Sequence, residues 1–470
     1  MSFLTELQKK RTNYNYASQA RTQAQSLSLL SSGIYTEEER FVYELLQNAI
    51  DAFVDVKEES LKIRIELRDN YLLFMHNGAA FTETDIEGLS DVGNGSKTTN
   101  AKKVGYKGIG FKSVFMKSTQ VFVKSGAYCF KFDKEDCINY MPSEMSDSKL
   151  SPEDIPWQII PIEANVPLEV ENEEFNVITC IRLSDTGSFV PKVDELLKGL
   201  NFLLFLNAQD VSIVFYHNDT LVRKVARKVH NGEILLLIDD EVVSRWLIKS
   251  DVISVTKEVK AYIAQNPTSV PQKLKDASEI EVSFAISVDD KGELRKVENS
   301  VAYTFLPTSY GNLAAPFLIN SNFITDAGRQ QLQQDSEWNK LIFKEAPALY
   351  FRWIAELSHT YKTYHRVLPS KVAKGNDELT KVFQKALQQA IEEIAFLPAL
   401  QSDSLLKVSE AWIDRVGISE VIGVDAFVKH VGEYEKKNFA NSGQIADAGV
   451  GILKSYGVFV FSEEIPTRSI

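Results

Sequence analysis

The chain has 470 residues, 44% hydrophobic and 25% charged, with a net charge of −12 and a pI of about 5.2. That length exceeds one ordinary core, so two or three domains are expected, and the acidic balance speaks against a mainly electrostatic grip on nucleic acid. Three cysteines (Cys129, Cys137, Cys180) without a CxxC pair, and six histidines without an HExxH array, exclude the usual zinc and disulfide frameworks and fit a reducing cytoplasm.

Residues 1–30 read as polar helix, with charges inside the opening apolar stretch and no cleavage pattern of a signal peptide. Helical spacing of Val42, Leu46, Ala49 and Phe53 predicts a helix over 37–56. Residues 61–67 alternate and 71–76 follow a turn at 68–70, which predicts a hairpin. Thr82 should cap a short helix to 91, and the polar stretch 93–105 has the composition of a lid loop. Helix is expected again at 111–117, then strands at 120–124, 128–133, 157–162 and 177–183. Residues 30–185 therefore read as an α+β layer of helices on a mostly antiparallel sheet. An apolar helix (193–206) precedes a second antiparallel sheet (211–216, 221–229, 234–238, with 279–288 and 301–305 joining it). Helices at 341–360 and 376–396 follow, and the last hundred residues are mixed. The longest apolar runs fall short of a membrane span.

The chemistry concentrates in two segments. Glu44-Leu-Leu-Gln-Asn-Ala-Ile-Asp-Ala52 puts Glu44 and Asn48 one turn apart, with Asp51 beside them, on the face opposite the apolar stripe. Magnesium takes hard oxygen ligands, and the Asn48 carbonyl supplies one without adding charge. A carboxylate one turn away, Glu44, can orient and deprotonate the water that attacks a γ-phosphate. About sixty residues on, Gly105-Tyr-Lys-Gly-Ile-Gly-Phe111 is a glycine-rich turn opening a helix. Gly105, Gly108 and Gly110 let backbone N–H groups close on an anion, and Lys97, Lys107 and Lys112 add positive charge nearby. A plain turn and a solvated amphipathic helix are the alternatives.

The segments 44–52, His76-Asn-Gly-Ala-Ala-Phe81 and 105–111 resemble the three nucleotide-binding boxes of the GHKL superfamily. The run Gly105–Phe115, with Asp91-Val-Gly-Asn-Gly-Ser-Lys-Thr98 before it, is most similar to the sacsin and NO VEIN branch, related to the ninety-kilodalton heat-shock chaperone. The resemblance implies a Bergerat-type α/β sandwich binding ATP and Mg²⁺ over residues 1–190, a chaperone-middle-like α/β domain over 191–366 and a small mixed region over 367–470. It implies Glu44 as general base, Asn48 as metal ligand and Asp51 as support. Asn77 and Gly78 would lie along the base, Ile109 and Phe111 in the phosphate turn, and Thr179 at the base. The box normally opens with Asp, which accepts from the adenine amino group; His76 stands there, and neutral imidazole has one acceptor nitrogen. Ala80 replaces the box's second glycine. Downstream, residues 322–334 resemble the chaperone's catalytic loop, which implies that Arg329 reaches the γ-phosphate and Gln333 positions the water.

These features predict a slow ATPase that couples nucleotide state to domain rearrangement, with a protein client, a homodimer as candidate assembly, and no membrane. The alternatives are a nucleotide sensor that hardly hydrolyses and a DNA-acting ATPase. The lone basic cluster at 223–228 reads as a solvated strand face. No dimerisation module is recognisable, which points to a fragment of a longer protein. By analogy alone, bacterial proteins of this kind occur in antiviral-defence neighbourhoods.

Overall fold

The computed structural model describes residues 2–33, 41–54, 56, 58, 60–91, 110–142, 150–167, 174–206, 210–267, 270–326, 330–372, 374–400, 402–427, 429, 438–441, 445 and 447–461. The chain divides into two compact units: 1–243 with 266–277, and 244–265 with 278–470. Both mix helices with sheet, so the fold class is α+β.

The first unit opens with α1 (Phe3–Thr12), α2 (Ala17–Gly33) and α3 (Phe41–Phe53), followed by the hairpin of β1 (Ser60–Arg68) and β2 (Tyr71–His76). Asp69 turns that hairpin at φ 52°, and the left-handed pairs Asn218–Asp219 and Asp239–Asp240 turn later ones, since short polar side chains tolerate this region. Then come α4 (Glu83–Leu89), β3 (Ser118–Ser125), β4 (Tyr128–Asp133), β5 (Ile162–Glu163), β6 (Val177–Leu183), α5 (Phe189–Lys198), β7 (Asp210–His217), β8 (Thr220–His230) and β9 (Glu233–Ile238). Their sheet order is β9–β8–β7–β1–β2–β6–β3–β4–β5, antiparallel except for the parallel β1–β7 pair.

Register assigns the faces. Ile63, His76 and Val177 lie opposite one another, as do Ile65, Phe74, Thr179 and Val123 in the next row, so these residues share one face. Helical residues cover that face: Phe111 and Phe115, from a 3₁₀ turn at Gly110–Met116, pack on Phe132 with ring centroids 6.2 and 5.5 Å apart. The opposite face carries the cluster of Leu73, Met75, Val166, Ile178 and Cys180, with Phe122 and Phe175 against it.

In the second unit, β10 (Glu241–Ser254, from residue 244 on) leads to α6 (Lys257–Gln265), with α7 (Gln272–Lys275) falling in the first unit. The order β14 (Leu306–Pro307)–β13 (Ala302–Thr304)–β15 (Leu318–Ser321)–β11 (Glu279–Val288)–β10 describes its sheet, with β12 (Leu294–Arg295) also on β11. The aromatic helix α8 (Glu337–Thr360) packs Tyr350 on Phe317 and Phe284, ring centroids 3.9 and 5.5 Å away. Helix α9 (Glu378–Glu393) is fixed through its N-cap: Asp377 accepts from the Tyr310 hydroxyl at 2.9 Å and from Asn312 Nδ2 at 2.8 Å. Three short parallel strands, Ala411–Asp414, Asn438–Phe439 and Phe459–Phe461, form a separate small sheet.

Several expectations need correction. Residues 157–162 are not one strand: Trp157–Ile159 is a 3₁₀ turn behind Pro156 and only Ile162–Glu163 pairs. The helix over 193–206 is two elements, α5 and a 3₁₀ stretch Leu200–Phe205, separated at Gly199. Strands 210–238 do not make a second sheet, because β7 pairs in parallel with β1 and extends the first. The strand β10 escaped the reading because its pattern, Glu-Val-Val-Ser-Arg-Trp-Leu-Ile-Lys-Ser-Asp-Val-Ile-Ser, alternates only in part. The basic cluster is not uniformly solvated: Arg223 pairs with Asp194 at 2.7 Å and Arg227 is buried.

Candidate functional site

Helix α3 carries the acidic constellation, but not on a solvated face. Glu44 is 3% exposed, Gln47 1% and Asp51 1%, while Val42, Leu46, Ala49 and Phe53 are buried as well. Glu44, Gln47 and Asp51 are therefore withdrawn from bulk water, while Tyr43, Asn48 and Ala52 keep partial exposure. Burying two carboxylates is costly unless something compensates them, and such groups mark candidate sites. Asn48, between them, is half-buried.

The row Glu44–Asn48 continues one turn later to Ala52, and Ala52 meets the end of β2. The Ala79 amide donates to the Ala52 carbonyl at 2.8 Å. A β-carbon built on Gly78 would stand 2.9 Å from Ala52 Cβ and 2.8 Å from His76 Nδ1, so only glycine fits between helix and strand. The Gly78 amide donates to His76 Nδ1 at 3.2 Å, and His76 is 4% exposed. Thr179, also buried, shares the His76 face one register row away. The 3₁₀ turn from Gly110 packs on α3. Ala52 of α3 thus meets Gly78 and His76 at the end of β2, and the turn that begins at Gly110 packs on the same helix.

Asn77 faces the other way. Its Oδ1 accepts from the Lys62 amide at 2.8 Å, and its Nδ2 donates to the Ser60 carbonyl at 3.1 Å and to Glu58 at 2.5 Å. It closes the open end of the β1–β2 hairpin. Asn176, which the sequence did not single out, donates to the carbonyls of Asn77 at 3.2 Å and Gly78 at 3.3 Å, fixing the same bend from the position just before β6. An asparagine before a strand carries no distinctive pattern.

Lys112 is another departure. It is 3% exposed, not a surface lysine, and its ammonium donates to the carbonyls of Leu89 and, at 2.8 Å, Gln158. The rings of Phe115 and Phe132 lie 5.6 and 5.5 Å from the Nζ. Burial, then the charge of Arg11, hold its pKa down at about 7, against the opposing pull of Asp91. Arg11 itself pairs with Asp91 at 3.1 Å.

The expected lid at 93–105 and the residues Lys97, Gly105, Lys107, Gly108 and Ile109 lie outside the described residues, as does Arg329. Gln333 belongs to the second unit, where its amide donates to the Ile324 carbonyl at 3.0 Å and its Nε2 to the Thr325 carbonyl at 3.3 Å. Both rails of that loop are gripped by Asn339, fully buried in the first turn of α8. Its Oδ1 accepts from the Ile324 amide at 2.8 Å, and its Nδ2 donates to the carbonyls of Ile324 at 2.8 Å and Gln333 at 3.0 Å. No described helix is long and apolar enough to cross a membrane.

Residues 29–151 match the Sacsin domain family. The chain is 26% identical over 336 residues to Protein NO VEIN of Arabidopsis thaliana, which covers 69% of this chain and 11% of that protein. It is 32% identical over 141 residues to Chaperone protein HtpG of Sulfurovum sp. (strain NBC37-1), covering 23% of each. The chain therefore spans a small part of the relatives it matches. The likeness to the sacsin and NO VEIN branch, related to the ninety-kilodalton heat-shock chaperone, is shown by these matches.

Proposed function

From a chain similar to sacsin, NO VEIN and a bacterial heat-shock chaperone, we propose a magnesium-dependent nucleotide-binding and hydrolysing protein, with ATP the nucleotide its GHKL resemblance names. In this reading the first unit holds a Bergerat-type pocket between α3, the end of β2 and the glycine turn before Phe111. The observation that carries it is the burial of Glu44 and Asp51 on α3, a helix whose Ala52 meets Gly78, where a missing β-carbon leaves helix and strand in direct contact.

The donor set fits magnesium: one carboxamide oxygen and two carboxylates on one helix are all hard oxygens, few enough to leave room for phosphate and water. Asn48 would hold the ion, which when bound neutralises phosphate charge. Glu44 would accept the proton of the attacking water, Asp51 would support the site through α3, and Thr179 would help fix the base. By the resemblance alone, Arg329 would act on the γ-phosphate and Gln333 on the attacking water. Nucleotide state would then bias a rearrangement between conformations. A client protein and assembly with a second copy belong to the same proposal.

Titration calorimetry with Mg²⁺ and ATP tests binding, with Asn48→Ala expected to abolish it. Phosphate release tests turnover, with Glu44→Ala and Arg329→Ala expected to lose it. Absence of nucleotide binding by the intact protein overturns the proposal. A sensor that binds without turnover is the second reading, favoured by His76 in place of a carboxylate. A DNA-acting ATPase is disfavoured by the acidic balance.

A further inference from the structure

We propose that His365 is an acid-sensitive latch in the second unit: a proton taken up by its buried ring unseats the helix Asp447–Tyr456, and with it the strand Phe459–Phe461, from the rest of that unit. The inference stands apart from the nucleotide reading and uses only residues of the second unit.

The two ring nitrogens differ in what they meet. His365 lies in the 3₁₀ turn Tyr364–Val367 and is 2% exposed. Its Nδ1 is 3.2 Å from the Lys362 carbonyl. A carbonyl can only accept, so Nδ1 carries the proton of the neutral ring and Nε2 the lone pair. Nε2 is buried and has no hydrogen-bond partner among the described residues. Packing shows what lies beside it. A β-carbon on Gly449 would collide with Cδ2, the ring carbon bonded to Nε2, and would stand 2.9 Å from Cγ. The helix backbone at Gly449 therefore rests directly on that edge of the imidazole, which only glycine permits.

A second proton has to go on Nε2. It places an N–H and a positive charge against the helix with no acceptor to receive them, and water reaches that nitrogen only when the helix lifts. Burial holds the ring's pKa below the ordinary histidine value against the bond to Lys362, with Arg366 pushing the same way and Glu293 opposing. The charged and titratable groups of the elements packed there give no relief. Arg366 is paired at 2.7 Å with Glu293, just before β12, and Asp447 of the helix is paired with Arg415. Arg295 on β12, His359 at the end of α8, Lys454 on the helix, and the buried Tyr364 and Tyr456 supply no partner to Nε2. The open form thus binds more protons than the latched form between the lowered pKa and the ordinary one, and the hold weakens as pH falls through that window.

Hydrogen exchange of the whole chain, read by mass spectrometry at about pH 7.5 and about pH 5 and corrected for intrinsic rates, tests the latch. Protection of residues 447–461 should fall about tenfold or more in acid relative to α8 of the same unit. His365→Leu, which fills the site without titrating, should keep that protection at both pH values. An equal fall in the folded leucine variant overturns the proposal. So does a natural protein in which 447–461 stay protected in acid, or lose protection only together with α8. Should the leucine variant not fold, His365→Gln takes its place under the same criteria, and if neither folds the ratio of 447–461 to α8 in the natural protein decides.

Discussion

The ammonium of Lys112 and the carbonyl of Leu89 are hydrogen-bonded, which ties the start of the 3₁₀ turn to the C-terminal end of α4 through a cation enclosed by aromatic rings. Arg11 and Asp91 form an ion pair beside it. A cation is thus kept in the core by two backbone carbonyls.

The titration of Lys112 predicts a pH dependence. Its folded pKa of about 7 lies below the ordinary lysine value of 10.5. Between those values the unfolded chain binds the extra proton, so the Lys112 contribution to stability rises with pH through that window and is flat below it. Lys112→Met should remove this contribution, on the order of 3 kcal/mol between pH 6.5 and 9.5. Urea unfolding of both proteins at the two pH values measures it; parallel pH profiles refute the assignment.

Gly78→Ala should destabilise the first unit by roughly 1–3 kcal/mol, because the added carbon meets Ala52 and the His76 ring inside 3 Å. The cost is steric, from crowding between helix and strand. Thermal melting reads the stability, and nucleotide titration should show weaker binding in the same variant.

Glu44→Gln keeps the side chain's size and removes its basicity. Nucleotide affinity should hold within a few fold while steady-state phosphate release falls about a hundredfold or more. Equal loss of both would assign Glu44 to binding instead of proton transfer.

Asn339→Ala leaves the amide and carbonyl of Ile324 and the carbonyl of Gln333 without their side-chain partner in a buried position. A loss of about 2–4 kcal/mol in the second unit is expected, with faster hydrogen exchange at the Ile324 amide. Retained protection there would show that α8 does not govern the loop.

Much of the fold was legible because its elements obey local rules. The strands Tyr71–His76, Tyr128–Asp133, Val177–Leu183 and Glu279–Val288 coincide with their hydrophobic patterns, and Thr82 caps α4 with a reciprocal Asp85 bond as its sequence suggests. Burial of Glu44 and Asp51 was not legible, since helical periodicity assigns polar residues to water and cannot see a second layer of protein. Lys112 failed for the same reason: its partners are carbonyls of Leu89 and Gln158, distant in sequence and invisible to side-chain pattern. The parallel β1–β7 pairing depends on topology, which alternation within a strand does not encode.

That parallel ladder joins residues 60–67 to 210–217. During synthesis, β1, in the middle of the first unit's sheet, waits for a neighbour made more than a hundred residues later. A protein truncated near residue 190 would leave β1 with a bare row of amides and carbonyls beside strongly apolar Ile63 and Ile65, a template for joining other chains. Expression trials aimed at the first unit should therefore carry the chain through β9, and soluble yield should collapse when β7 is omitted.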